Sequence, residues 1–494
     1  MPENWSSSRL DLHLDLAAEG GRRARLEAAL REAIRAGRLA AGTPLPSTRG
    51  LAQELGLSRG TVSAAYDQLA EQGYVTTRPG AATRVADIEN GPRPPIPPAA
   101  TSAPPPPPHD LRPGRPDGSA FPARGWLAAT RRVLDRARPE VYGPGDPQGR
   151  IELRTALADY LGRTRGVRTT PDRIVITSGY YQTVQLLCRV LTAEGRAAAA
   201  VEDPGHDFYR GTVRRAGLTP YPLPVDAHGA DTGALTAGTD AVFLTPSHHY
   251  PTGVPLHPAR RRDVCAWARA TGGLIVEDDY DGEFRYDRRP VGALQSLAPD
   301  HVAYCGTASK TLGPALRLAW TVLPPDLVAP VVRAKEEDDL YTETLGQLVL
   351  ADFIATHAYD RHIRAARLRY RRRRELLISR LSAFPALTAH GVPAGLHTLV
   401  TLPPDGPAEA GLLTACADRG LVLRGLSELH HDPADRPEGL LIGFAASSER
   451  AYPAAVDALC AVLEGFQEGF QEGFQEGFQE GPPGGFAFRV NTSP

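Results

Sequence analysis

His301-Val302-Ala303-Tyr304-Cys305-Gly306-Thr307-Ala308-Ser309-Lys310-Thr311-Leu312-Gly313-Pro314-Ala315-Leu316-Arg317 starts as an apolar run and ends in a turn rich in hydroxyl and cationic groups. Four further short apolar runs precede it: Arg173-Ile-Val-Ile-Thr-Ser178, Ala197–Val201, Ala241-Val-Phe-Leu-Thr245 and Gly273-Leu-Ile-Val-Glu277. Helical patterns separate them. Continuous apolar strands alternating with helices predict a buried, mainly parallel sheet flanked by helices. In such sheets ligand groups gather beyond the strand ends, so the polar residues there are the candidates.

Lys310 is conspicuous by composition. Of 55 basic side chains only Lys310 and Lys335 are lysine; the other 53 are arginine. Arginine stays charged and cannot form an imine, whereas lysine can be tuned into a nucleophile. Lys335, in Arg333-Ala-Lys-Glu-Glu-Asp-Asp339, reads as the surface residue of a charged helix. Around Lys310, the hydroxyls of Thr307 and Ser309 with the guanidinium of Arg317 would form a phosphate cradle beside an amine. Thr177-Ser178-Gly179-Tyr180-Tyr181-Gln182 follows a strand and opens a helix, where backbone amides can hold a phosphate. Glu277-Asp278-Asp279-Tyr280-Asp281 places acids at another strand end, able to pair with a cationic ring nitrogen or a metal. The adjacent histidines of Ser247-His248-His249-Tyr250 would face opposite sides of an extended chain, with no third ligand at regular spacing, so no metal is expected. Phosphate, Schiff-base lysine and carboxylate together are what pyridoxal phosphate requires.

The rest of the composition sets bounds. The 494 residues are 42% apolar and 23% charged with a net charge of −2, a soluble globular balance with room for two to four domains at roughly 100–200 residues each. No apolar run reaches the ~18 residues of a membrane span, and the N-terminus lacks a signal-peptide pattern. Five widely spaced cysteines without CxxC pairs fit a reduced, cytoplasmic chain. Between Gly91 and Pro108, ten of eighteen residues are proline, a semi-rigid spacer. From Glu464 the tetrapeptide Glu-Gly-Phe-Gln occurs four times, a low-complexity tail. The expected organisation is residues 1–88 as a first domain, 89–112 as linker, 113–463 as the main domain and 464–494 as tail.

Residues 1–88 carry three helical patterns. Leu26, Leu30, Ala33 and Ile34 share one face; Ser47 can cap a helix that stops at Gly56; Ser58 can cap a third bearing Val62, Ala65, Tyr66 and Leu69. Helix, short turn, helix is the helix-turn-helix pattern, and Tyr74–Thr77 with Thr83–Val85 would make a wing. Residues 20–84 hold ten arginines against five acids, a basic balance suited to double-stranded DNA. Arg49, Ser58, Arg59 and Thr61 lie where helix starts would meet it.

Gly42-Thr-Pro-Leu-Pro-Ser-Thr-Arg49-Gly-Leu-Ala and Leu55-Gly-Leu-Ser-Arg59-Gly-Thr-Val-Ser-Ala-Ala-Tyr66 resemble the winged helix-turn-helix of GntR-type regulators. Ala81-Ala82 replaces that family's usual Ser-Gly in the wing. The order and spacing of the segments from Tyr142 to Phe444 resemble fold-type I aminotransferases, so the whole is similar to MocR-type (GabR-like) transcription regulators. The resemblance implies pyridoxal phosphate as cofactor, with Lys310 forming its Schiff base. Asp278 would pair with the pyridine nitrogen, Asp279 being the alternative. Tyr280 would meet the ring hydroxyl, and Gly179, Tyr180, Tyr181, Thr307 and Arg317 would hold the phosphate. Tyr142 would reach the neighbouring subunit's phosphate in a head-to-tail, domain-swapped homodimer. His206 stands where the family often has the ring-stacking tyrosine, and Tyr250 joins the cofactor-binding set. The family commonly reads Leu-Arg-Leu-Gly-Phe near the C-terminus, its arginine clamping an amino-acid carboxylate. Here Leu440-Leu441-Ile442-Gly443-Phe444 puts Leu441 at that place, with Arg424 as a substitute from a nearby loop. The expectation is a sensor of pyridoxal phosphate, or of its aldimine with an amine or amino acid, bearing on vitamin B6 supply rather than an enzyme. The alternative is an active aminotransferase with an accessory DNA-binding domain.

Overall fold

A computed structural model of the chain describes residues 21–78, 80–88, 107–287, 291–434 and 436–467. It divides into two compact units, residues 1–106 and 107–494. Most of the proline-rich linker, and the repeat tail from residue 468 on, lie outside the described residues.

In the first unit, helices α1 (Arg22–Arg35), α2 (Thr48–Leu55) and α3 (Arg59–Glu71) enclose one core containing Leu26, Leu30, Ile34, Val62, Ala65 and Leu69. Both expected caps form: Ser47 Oγ accepts from Gly50 N–H and Ser58 Oγ from Thr61 N–H, each at 3.1 Å. Gly56 ends α2 at φ +62°, a left-handed turn that suits glycine. The buried Tyr66 donates its hydroxyl to Pro46 O at 3.0 Å, tying α3 to the turn ahead of α2. Strands β1 (Val75–Thr76) and β2 (Arg84–Val85) then pair antiparallel as the wing. Residues 43–45 bond along its other edge through Thr43 O to Val85 N–H and Leu45 N–H to Thr83 O.

The second unit opens with β3 (His109–Asp110), then α4 (Ala123–Arg136) and α5 (Ile151–Arg165). Next come β4 (Ile174–Thr177), α6 (Tyr180–Ala193), β5 (Ala198–Asp203), α7 (Asp207–Arg215), β6 (Thr219–Asp226) and β7 (Gly229–Ala230). They are followed by β8 (Ala241–Leu244), α8 (Pro258–Thr271), β9 (Leu274–Asp278), β10 (Val302–Thr307), β11 (Ala319–Val322) and α9 (Pro325–Asp339). The sheet order is β4-β11-β10-β9-β8-β5-β6-β7. Strands β10, β9, β8 and β5 run parallel, as their apolar runs predict, and β6, which the sequence did not mark, joins them in parallel; β11 is antiparallel to both neighbours and β7 to β6. Because β4 and β10 each oppose β11, their C-terminal ends reach the same edge of the sheet.

A smaller subdomain follows α10 (Thr344–Ala355) and α11 (Ala358–Leu381). Its sheet contains β12 (Thr388–Ala389), β13 (His397–Thr401), β15 (Arg424–Gly425) and β16 (Gly439–Gly443) in the order β12-β13-β16-β15. Helices α11, α12 (Glu409–Asp418) and α13 (Tyr452–Glu464) supply Leu377, Leu412, Val456 and Leu459 to its core. The short β14 (Leu421–Val422) pairs parallel with β3, and Leu111 is fully buried in this core. Residues 109–112 are therefore part of the second unit rather than linker. Likewise Glu464 closes α13 and Phe466 packs against the core, so the first Glu-Gly-Phe-Gln copy is not wholly tail.

Lys335 also departs from expectation. It is 0% exposed, because Leu327, Val331 and Lys335 recur every four residues on the buried face of α9. Its amine finds Asp339 Oδ1 one turn on, at 2.6 Å. Charge density along α9 suggested solvent; helical periodicity decides otherwise.

Replacing Ser47 by Ala removes the α2 cap, worth about 1 kcal/mol. Amide exchange in α2 should accelerate about fivefold, measured by hydrogen–deuterium exchange on the full chain.

Candidate functional site

Arg49 on α2 and Arg59, the first residue of α3, are exposed in the first unit. Ser58 and Thr61 are bonded to each other there, Oγ to Oγ1 at 2.8 Å. The first turn of α3 thus presents unpaired helix amides beside the Arg59 guanidinium, a surface suited to phosphates and base edges. Ala81 and Ala82 of the wing are exposed and bring no polar side chain to it.

In the second unit the lysine and the phosphate candidates converge where β4 and β10 end. The Thr307 hydroxyl donates to Ser309 Oγ at 2.9 Å and accepts Ser309 N–H at 3.1 Å, folding a turn that carries Lys310 inward. Lys310 Nζ donates to Gly114 O at 2.7 Å. Across β11, Gly179 caps α6, and the first intrahelical bond runs from Thr183 N–H to Gly179 O. The amides of Tyr180, Tyr181 and Gln182 therefore precede the helical ladder. Arg317, held at φ +52°, lays its guanidinium on Gly179, where a Cβ would stand 2.6 Å from Nη2. A guanidinium, helix-start amides and two hydroxyls are thus assembled beside a lysine amine.

The three acids at the end of β9 separate by alternation. Glu277 turns one way and accepts the N–H groups of Leu294 and Gln295 at 2.7 and 2.8 Å. Asp279 turns the same way, to a bidentate pair with Arg165 (2.6 and 2.7 Å) and the hydroxyl of Tyr304 (2.6 Å). Asp278 faces the other side, accepts a short hydrogen bond from Tyr209 and lies within the electrostatic reach of Lys310. Burial pushes the Asp278 carboxyl up to about 7, with Tyr209 and Lys310 pulling it down and Asp279 and Asp281 adding to the rise. Burial lowers the Lys310 amine from its ordinary range, against the pull of Asp278 and Asp281. A lysine that loses its proton more readily is a better nucleophile.

His206 and Tyr250 stack with ring centroids 5.1 Å apart, and Tyr250 meets Tyr280 edge-on. Burial holds the His206 imidazole below the usual histidine range despite Asp207. The Tyr280 hydroxyl lies 3.2 Å from His248 Nδ1, which is 2.9 Å from Asp281 Oδ2. His249 turns instead to Thr252, 2.7 Å from Nδ1 to Oγ1. The neighbouring histidines therefore diverge, and no group of three or more metal-ligating side chains gathers among the described residues.

The structure thus brings together Lys310, Asp278, Tyr280, Gly179, Thr307, Arg317, His206 and Tyr250. Tyr180 packs its ring edge-on against Tyr209 and Phe208, within the electrostatic reach of Asp278, leaving its amide to the site. Two expected residues stand apart as side chains. Tyr181 is 44% exposed and accepts from Arg215. Tyr142 is 63% exposed. Sequence reading missed Tyr209 and the His248–Asp281 pair; Asp281 stood in the acidic run, but Tyr209 left no local signal.

Leu441 is fully buried with Tyr250, Tyr280, Leu399, Leu426 and Leu429. Arg424 is its cross-strand neighbour on β15. That guanidinium is already engaged by Asp207 at 3.2 Å, Glu428 and the Tyr250 hydroxyl at 3.4 Å.

These groups fit pyridoxal phosphate on their own chemistry: a glycine that only an arginine-backed turn requires, an amine with one carbonyl partner, and a buried acid ready to meet a cation. A carboxyl raised by burial keeps a proton that the unfolded chain has lost. Stability therefore falls as pH climbs from the ordinary aspartate range through about 7. Asp278→Asn should raise the melting temperature of the cofactor-free protein by about 3–6 °C at pH 8, the gain shrinking toward pH 5. A pH-independent gain would assign the titration to another group.

Two family models match the chain: "Bacterial regulatory proteins, gntR family" over residues 22–85 and "Aminotransferase class I and II" over residues 113–459. A pyridoxine biosynthesis transcriptional regulator of Corynebacterium glutamicum is 33% identical over 430 residues, covering 85% of this chain and 91% of its own. A probable rhizopine catabolism regulatory protein of Rhizobium meliloti is 31% identical over 473 residues, covering 91% and 95%. Among solved structures, the kynurenine aminotransferase of Pyrococcus horikoshii superposes with a TM-score of 0.65 at 23% identity, over 72% of this chain and 90% of its own; at that identity the likeness establishes the fold. The chain belongs to the GntR/MocR-type transcription regulators, with an N-terminal helix-turn-helix joined to a C-terminal fold-type I aminotransferase-like domain.

Proposed function

We propose that this regulator binds pyridoxal phosphate and reports it, or an amine joined to it, to an operator in genes of vitamin B6 supply. The observation that carries the reading is the convergence of Lys310, Asp278 and the Gly179–Arg317 turn at one edge of the sheet. The 33% identity to a pyridoxine biosynthesis regulator supports the B6 assignment.

Pyridoxal phosphate supplies an aldehyde and an electron-withdrawing ring when bound. Lys310 would offer its amine, and Arg317, the α6 amides and the Thr307 hydroxyl would hold the phosphate. Asp278, ionised opposite a cation, would keep a proton on the ring nitrogen. Tyr280 would face the ring hydroxyl, its own position set by His248 and Asp281, and His206 would cover one ring face. Leu441 and the engaged Arg424 weaken recognition of an amino-acid carboxylate, since a bidentate charged contact there would be worth a few kcal/mol. This favours a sensor over an aminotransferase.

A signal requires the ligand to bind two arrangements of the protein unequally. A head-to-tail homodimer would provide them, with Tyr142 reaching the partner's phosphate site. Leu127, Leu134, Tyr142, Ile151 and Leu340 are exposed on the second unit, apolar surface that an interface would cover.

Footprinting upstream of the gene's neighbours, with and without pyridoxal phosphate, should show protection that the ligand alters. Arg59→Ala should weaken that protection about tenfold or more while leaving the visible cofactor band intact; unchanged gel-shift affinity would remove α3 from the interface. Lys310→Ala should abolish the borohydride-reducible band. Mixed with amino donors and a keto acid, the wild type should change its absorbance without multiple turnovers; sustained turnover would make it an aminotransferase.

A further inference from the structure

The second lysine of the chain has no place in the reading above, yet its side chain is fully buried. Lys335 Nζ is bonded to Asp339 Oδ1 at 2.6 Å, and its side chain is 0% exposed. Asp339 Oδ2 in turn accepts from Gln182 Nε2 at 2.8 Å, and Asp338 Oδ2 accepts from the same amide nitrogen at 2.9 Å. Gln182 is a first-turn residue of α6. Its Oε1 accepts both Ser178 N–H (2.9 Å) and Ser178 Oγ–H (3.1 Å). Ser178 is followed by Gly179, the residue on which Arg317 rests.

The chemistry of this chain of bonds admits one direction. Carboxylates only accept, so the Gln182 amide must turn its N–H2 to Asp338 and Asp339. Its carbonyl oxygen then faces Ser178, which must donate twice. Both donors and both lone pairs of Gln182 are used, and the Ser178–Gly179 turn is held in one shape. Two adjacent carboxylates on one amide repel each other unless a cation balances them. Arg189 lies 3.7 Å from Asp338 at the partly exposed end; Lys335 is the buried cation on Asp339. A guanidinium is planar and broader than the ammonium that the buried stripe of Leu327, Val331 and Lys335 accommodates.

We propose that Lys335 is a positioning residue for phosphate recognition. Through Asp339 and Gln182 it locks the Ser178–Gly179 turn, so that the amides opening α6 and the Arg317 guanidinium face one anion. It also cancels a negative charge that would otherwise oppose that anion. The proposal rests on the pyridoxal phosphate reading of the Lys310 site and adds to it the origin of the preference for the phosphorylated ligand.

The test compares pyridoxal phosphate with pyridoxal, which shares the aldehyde and ring but lacks the phosphate. Both are titrated into the full-length protein by visible absorbance and borohydride trapping. Lys335→Met should weaken pyridoxal phosphate about tenfold or more and change pyridoxal binding by less than about twofold. The double variant Lys335→Met, Asp339→Asn restores neutrality and leaves Gln182 an acceptor, so it should recover most of the lost preference. If both ligands weaken by the same factor in the single variant, or the double variant fails to recover while folded by circular dichroism, Lys335 serves the fold alone and the proposal is overturned. Should Lys335→Met not fold, Gln182→Met tests the same link and should reduce the preference likewise; an unchanged preference there also overturns it. A wild type that binds neither ligand would overturn the cofactor reading instead.

Discussion

The bidentate pair between Arg165 and Asp279 decides how the candidate site can be built. Both side chains are nearly dry, 7% and 2% exposed, and Arg165 adds a bond to Ser247 Oγ at 2.9 Å. Removing one member of such a pair costs about 3–5 kcal/mol, because the other charge is left buried and alone. The pair therefore locks the end of β9 to the end of α5. With Asp279 turned to Arg165, strand alternation must turn Asp278 to the opposite side, toward Tyr209 and Lys310. Among the described residues Asp278 forms no ion pair, and burial raises its carboxyl to about 7. One acid is spent on the scaffold so that its neighbour remains free for a ligand.

The same division of labour recurs at the strand ends. Glu277 holds two backbone amides, Gln182 holds Ser178, and Asp281 with His248 holds the Tyr280 hydroxyl. Each of these groups is oriented by a polar neighbour that is itself held by a hydrogen bond. Glycines allow the close packing this needs. A Cβ on Gly179 would collide with Arg317, and one on Gly395 would stand 2.1 Å from the His248 ring. The latter contact brings the loop before β13 down on the Tyr280 support, linking the small subdomain to the site.

Much of this was legible in advance. Lys310 stood out because arginine had replaced lysine elsewhere and cannot replace it in an imine. The caps at Ser47 and Ser58 were readable from spacing, since a cap acts over three residues. The choice between Asp278 and Asp279 was not, because it depends on Arg165, more than a hundred residues earlier. The place of Lys335 follows from the four-residue recurrence of Leu327 and Val331 on the buried face of α9, which outweighs the charges beside it in the chain. Tyr180 and Tyr181 were assigned by position in a motif, yet the helix turns one ring into the core and the other to solvent.

The amino-acid sequence by itself determined the two units, the helix-turn-helix, the parallel heart of the sheet and the lysine at the centre of the candidate site. These follow from local periodicity, capping and the chemistry of single side chains. Only the tertiary structure decided which carboxylate faces that lysine, and that Arg424 stands opposite Leu441 with its charge already engaged. Such choices are made by partners distant in the chain, whose burial makes each unpaired charge too costly to leave standing.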